Sequence, residues 1–190
     1  ALHLRVRHVA GALDAQRAGD VTHTQVQGWL RDLGRALGFE VWVAVNDRGR
    51  PYEGRELGDG CLDTLPPWVA GHPGVDAVRL IDVLWIDATS EDVAAAFEVE
   101  HTTSIYSGIV RMLDLALGAP ERTTRGLYLV APDAREEDVR AQLERPAFRQ
   151  VRALGMRFLP YSELEKNREA MARFGRGLHP IEAASRSFAP

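Results

Sequence analysis

The chain has 190 residues, a formal net charge of −4, one cysteine, 45% hydrophobic residues and 26% charged residues. This length suits one domain able to bury a sizeable core, and the composition excludes a disordered chain, an intramolecular disulfide framework and, nearly, a cysteine-based zinc site. No apolar run approaches the roughly 18 residues of a membrane span, and the acidic balance argues against a surface built wholly for nucleic acid while leaving room for a local basic cleft.

Residues 1–21 have weak periodicity and are expected to form an arm or a short helix ahead of the domain. The chain opens without Met, as a processed form or a piece of a longer protein would, and its first twenty residues lack the compact apolar stretch of a signal peptide. With a single cysteine, this fits cytoplasmic residence. Residues 22–175 read as one α/β domain. Val26, Trp29, Leu30, Leu33 and Leu37 recur at three and four, which predicts an amphipathic helix, capped by Thr22 or Thr24 and ended by Gly38. "FEVWVAV" follows as a strand. From Asn46 to about Gly74 the chain is punctuated by Pro and Gly, a long loop of the kind that often carries function. "DAVRLIDVLWID" and "VAAAFEVEH" are two further strands, joined by the polar turn "DATSED" as a hairpin. "TSIYSGIVRMLDLALG" predicts a helix with Thr103 or Ser104 as its cap and Gly118 as its stop. "RGLYLVAP" is a fourth strand, and "DAREEDVRAQLERPAF" a charged surface helix capped by Asp133. "MRFLPYSELEKNREAMARFG" gives a short strand and a last helix, and residues 176–190 are expected to be a loosely held tail. This order of elements predicts a mixed central sheet flanked by helices.

The chemistry concentrates in the hairpin. Residues two apart on a strand share a face, so Glu98 and Glu100 point together while Phe97 and Val99 point the other way. Asp82, inside the apolar run "LIDVLW", can lie beside Glu98 across the hairpin. Carboxylates placed in apolar strands must be paired or hold a cation, and packed together they raise one another's pKa. A hard divalent cation removes that repulsion, and Mg²⁺ (or Mn²⁺) suits a site of few carboxylates and several waters. Asp82 and Glu98 are therefore expected to hold the ion, and Glu100 to orient or deprotonate a water that attacks a phosphodiester. The other account of the same acids is ion pairing with arginines such as Arg79 and Arg111.

An Asp at one strand, Glu-x-(Lys/Glu) on the next and then a helix resembles the PD-(D/E)XK, or restriction-endonuclease-like, nuclease superfamily. Residues 22–131 reproduce its core order of helix, three strands, helix and strand. The wording "LGFEVWVAVNDR…IDVLWID…AFEVEHTTSIYSGIVRMLDL" is similar to a bacterial branch of it. The resemblance implies that Asp82 is the motif Asp, Glu98 the Glu, and Glu100 the residue in place of the usual Lys. Glu there is similar to a minority of restriction enzymes with an E-x-E arrangement, and it is also what a non-cutting descendant would carry. The implied activity is Mg²⁺-dependent cleavage of DNA, in restriction, repair or defence. The alternative is an inactive module of that fold which binds DNA or a partner protein.

Around this centre, Arg48, Ser104 and Arg111 are candidate phosphate contacts. The resemblance suggests Gln25 as the polar side chain lent by the first helix. Arg48 in a plain turn, Ser104 as a helix cap, Arg111 in an ion pair and Gln25 as a surface residue are the bland counterparts. His101 faces away from the carboxylates on a regular strand, and the other histidines show no ligand spacing. Trp68 in the long loop can stack on a base or pack on its own domain. No zincin helix, P-loop, nucleophile elbow or Rossmann glycine set is present. Expected partners are DNA and a second copy or a fused or separate partner domain, with no membrane.

Overall fold

A computed structural model describes residues 22–101, 105–119, 122, 124–148 and 153–188. The expected arm at 1–21 lies outside them. Helix α1, residues 22–36, buries Val26, Leu30 and Leu33 on one stripe, and Gly38, at φ 93°, ends it in the left-handed region where glycine is strain-free. Strand β1 (Glu40–Val43) follows, then a two-stranded ribbon, β2 (Pro51–Tyr52) and β3 (Arg55–Glu56), and two one-turn helices, α2 (Pro67–Ala70) and α3 (Val75–Val78). The hairpin is β4 (Val83–Ile86) and β5 (Val93–Val99). After it come α4 (Ile105–Gly118), β6 (Gly126–Ala131), α5 (Glu136–Leu143), β7 (Arg157–Pro160), α6 (Tyr161–Phe174), α7 (His179–Ala184) and β8 (Arg186–Ser187).

Six strands form one mixed sheet in the order β1-β4-β5-β6-β7-β8. β1, β4 and β5 pair antiparallel, β5, β6 and β7 pair parallel, and β8 returns antiparallel to β7. The expected mixed sheet flanked by helices is therefore found, in the helix, three-strand, helix, strand order. One face packs Ile105, Ile109, Met112 and Leu115 of α4 with Val139 and Leu143 of α5. The other packs Val26, Leu30 and Leu33 of α1 with Leu164 and Met171 of α6 and Ile181 of α7. Strand β5 is buried along its whole length, as a central strand covered on both faces must be.

Three expectations need correction. The second strand is shorter than "DAVRLIDVLWID": Val75–Val78 turn as helix and only Val83–Ile86 pair. Asp133 does not cap the helix after it, because its carboxylate holds the backbone N–H and hydroxyl of Ser162 at the start of α6. Residues 176–188 are not a loose tail, since Ile181 is fully buried and β8 extends the sheet.

Candidate functional site

Several segments converge at one end of the sheet. Asp82 precedes β4, and its carbonyl accepts the Ala44 N–H, which fixes its backbone. Val83 pairs with Phe97, so Asp82 comes opposite Glu98 one step further along the hairpin. The side chain of Asp82 is pinned from two directions. Its Oδ2 accepts the Val99 N–H at 2.7 Å, while Oδ1 accepts the Gln27 amide at 3.0 Å and lies 3.2 Å from His23 Nε2. Asp82, Glu98 and Glu100 are 6%, 0% and 2% exposed.

Gly108 of α4 lies directly over both glutamates. A Cβ there would stand 2.7 Å from Glu100 Oε1 and 3.1 Å from Glu98 Cβ, so glycine is what lets the helix approach so closely. One turn on, Arg111 donates through Nε and a terminal nitrogen to the two oxygens of Glu98, at 2.8 and 2.5 Å. The Glu98 carboxyl is pushed up to about 8 by the balance of three effects: burial, the largest, raises it, the Arg111 fork lowers it, and the Asp82 and Glu100 charges raise it. The same fork holds the Arg111 guanidinium charged.

Tyr161, at the start of α6, closes the far wall. Its hydroxyl is buried with no hydrogen-bond partner. Burial, then the Asp82 and Glu100 charges, push its pKa up, so it stays a donor. His101 stacks on this ring, with centroids 6.0 Å apart and its Nδ1 buried and unpartnered.

On the other side of Asp82 stands a second group. His23 and Gln27 are four apart on α1 and share a face. Asp47, 4% exposed in the turn after β1, accepts the Gln27 amide on Oδ2 at 2.8 Å and the Arg50 guanidinium on Oδ1 at 2.7 Å. One ligand atom each of His23, Asp47 and Asp82 lie within 4.8 Å of one another, a spacing a metal ion can bridge. Burial acts to lower the His23 pKa, but the hydrogen bond to Asp82 and the charges of Asp82 and Asp47 carry it above its ordinary value.

The structure thus brings Asp82, Glu98, Glu100 and Arg111 together. It does not bring Arg48 or Gln25. The Arg48 guanidinium lies 4.1 Å over the Trp42 ring and donates to the Val43 and Leu62 carbonyls, bracing the loop. Gln25 is exposed, because it sits two residues from both His23 and Gln27 and so on the opposite side of α1. Ser104 lies outside the described residues. Trp68 packs on its own domain, donating to the Glu91 carbonyl at 2.8 Å beneath Arg122. Arg79 reaches Asp76 and not the cluster. The sequence singled out none of His23, Gln27, Asp47 and Tyr161 as site residues. The one available signal was the four-residue spacing of His23 and Gln27 on a predicted helix.

Residues 8–178 match the family described as the type II restriction enzyme NmeDI C-terminal domain. The chain is 30% identical over 173 residues to the type II restriction enzyme NmeDI of Neisseria meningitidis serogroup C. The alignment takes in 87% of this chain and 46% of that protein, so the chain spans about half the length of this relative. No solved structure gives a significant match.

Proposed function

Since the chain belongs to the NmeDI C-terminal domain family, we propose that it is a restriction-type endonuclease domain that hydrolyses DNA phosphodiester bonds at Asp82, Glu98 and Glu100. We read these residues as a PD-(D/E)XK motif in its E-x-E form. The observation that carries the reading is the burial of three carboxyl groups from two adjacent strands at one sheet end. Such a cluster costs several kcal/mol unless positive charge enters it.

A divalent cation, Mg²⁺ or Mn²⁺, fits that requirement: the donors are hard carboxylate oxygens, and Asp82 and Glu100 already push the Glu98 carboxyl up. Asp82 and Glu98 would hold it. Bound there, it would supply charge to the scissile phosphate and acidify a water. Arg111 competes for Glu98, since its fork covers both oxygens. A DNA phosphate offers that guanidinium an equivalent bidentate anion, and its transfer uncovers Glu98 as substrate arrives. Glu100, buried beside Gly108, orients or takes a proton from the attacking water. The Tyr161 hydroxyl is a donor in search of an acceptor, and a phosphate oxygen is one.

Plasmid DNA incubated with the chain and Mg²⁺ or Mn²⁺ should be cut, and Asp82→Ala and Glu98→Ala should each abolish cutting. Equal cutting by both variants would place the activity elsewhere. The alternative is a non-cutting module that binds DNA or a partner protein, in which the Arg111 fork would stay on Glu98. Salt-sensitive DNA binding without any cleavage would establish the DNA-binding form of it.

A further inference from the structure

We infer that His23, Asp47 and Asp82 form a binding site for a divalent transition-metal ion of the Mn²⁺ class, distinct from the Glu98 side of the cluster, with Gln27 turning its carbonyl oxygen onto the ion. Both oxygens of Glu98 are taken by Arg111, whereas the inward oxygens of Asp47 and Asp82 face each other across a single amide nitrogen. That nitrogen, Gln27 Nε2, donates to Asp47 Oδ2 at 2.8 Å and to Asp82 Oδ1 at 3.0 Å. It stands where a cation bridging the two acids would stand.

The amide also points to a ligand by what it leaves undone. Gln27 is 0% exposed, and its Oε1 is buried with no partner, an arrangement that costs stability. Rotating the amide through half a turn would aim that oxygen at the two carboxylates. Without a cation that is repulsive; with one it adds a fourth donor and removes the orphan. The outer oxygens of both acids are held in place, Asp47 Oδ1 by Arg50 at 2.7 Å and Asp82 Oδ2 by the Val99 N–H at 2.7 Å. Outer contacts of this kind orient metal ligands. His23, with its side chain 24% exposed, supplies a nitrogen from the open side. One imidazole with oxygen donors favours a first-row transition ion over Mg²⁺, which prefers oxygen alone.

The site does not rest on DNA cleavage, and its test uses none. The whole chain, free of DNA, is titrated with MnCl₂ and the unbound ion followed by electron paramagnetic resonance. The unaltered chain should bind Mn²⁺, with a nitrogen coupling in the pulsed spectrum that His23→Ala removes. His23→Ala and Asp47→Asn should each weaken binding at least about tenfold, and Glu165→Gln, an exposed carboxylate on α6 outside the cluster, should leave it unchanged. Asp47→Asn preserves volume, so it reports even if the His23 variant fails to fold. No binding by the unaltered chain, absence of the nitrogen coupling, or loss of binding in Glu98→Gln with retention in Asp47→Asn would each overturn the assignment. A chain that binds Mn²⁺ in this way and cuts no DNA would refute the nuclease reading alone.

Discussion

Arg111 and Glu98 form a pair in which the fully buried partner carries the larger risk. Removing the guanidinium leaves a carboxyl that is 0% exposed facing Asp82 and Glu100, a loss that typically costs about 3–5 kcal/mol. The cost has a definite pH sense. A carboxyl whose folded pKa lies above its unfolded value contributes stability that is full below the unfolded pKa and is lost as pH rises through the folded one. Glu98 already stands at about 8 against an ordinary 4.5, and loss of Arg111 pushes it higher. Arg111→Met should therefore lower the urea midpoint of the metal-free protein strongly at about pH 9 and much less at about pH 6. A deficit that grew on acidification would contradict this. Tyr161 gives the opposite pattern. Its hydroxyl has no partner in the folded state, so Tyr161→Phe removes an unsatisfied buried group and should raise stability by up to about 1–3 kcal/mol. If the hydroxyl donates to the bound phosphate, the same variant should cut DNA more slowly. Urea unfolding and plasmid cleavage on one preparation should then move in opposite senses. These residues also show what a sequence can reveal of a site. Asp82, Glu98 and Glu100 were legible because a charge inside an apolar strand is costly and asks for an explanation. Tyr161 was not, because a tyrosine at the start of a helix is ordinary, and only the fold places it across from the acids. Gln25 was the glutamine expected at the site, and the rotation of α1 puts Gln27 there instead.

The packing of α4 on β5 sets the depth of the acid cluster. At Gly108 an added methyl would meet Glu100 Oε1 at 2.7 Å and Glu98 Cβ and Cγ at 3.1 and 3.2 Å. Alanine gains about 1 kcal/mol of helix propensity over glycine, but overpacking costs about 1–3 kcal/mol, and neither glutamate has solvent to retreat into. The clash should win. Gly108→Ala is expected to destabilise the chain modestly and to suppress cleavage far more, because both carboxylates must shift. Gly49→Ala, with no atom within 4 Å of the added carbon, serves as the control and should change neither the urea midpoint nor the cleavage rate. The major elements of this fold were readable because each carries a periodicity long enough to count: the α1 stripe, the apolar run of β5, and the stripe of α4. The long excursion between β1 and β4 was not, since its ribbon strands have two residues each and α2 and α3 have four. Elements that short have no period, and their existence depends on what they dock against. The tail misled for the same reason. Ile181 is buried by α6 and the sheet, and nothing local in "HPIEAA" announces that.

Across the whole molecule, the described residues contain one Asp82–Glu98–Glu100 cluster, and under the proposed function one such centre would break one strand at a time. A restriction-type cut through both strands needs a second centre of opposite orientation, which two-fold pairing of identical chains supplies. The chain spans 46% of the length of its relative, so pairing can come from these residues or from a partner domain. With a net charge of −4, two copies repel weakly at long range, and low ionic strength does not favour their association before DNA is bound. On the proposed function, DNA would be the template that brings two copies together. This gives a concentration signature for the isolated chain. At low protein concentration supercoiled plasmid should accumulate as nicked circles, and linear product should rise more steeply than in proportion to protein as the concentration is increased. Glu98→Ala mixed in excess with the unaltered chain should restore nicking as the main outcome, because mixed pairs carry one working centre. Linear product formed from the first time point at every concentration, with no nicked species and no effect of the mixed variant, would mean that a single copy cuts both strands.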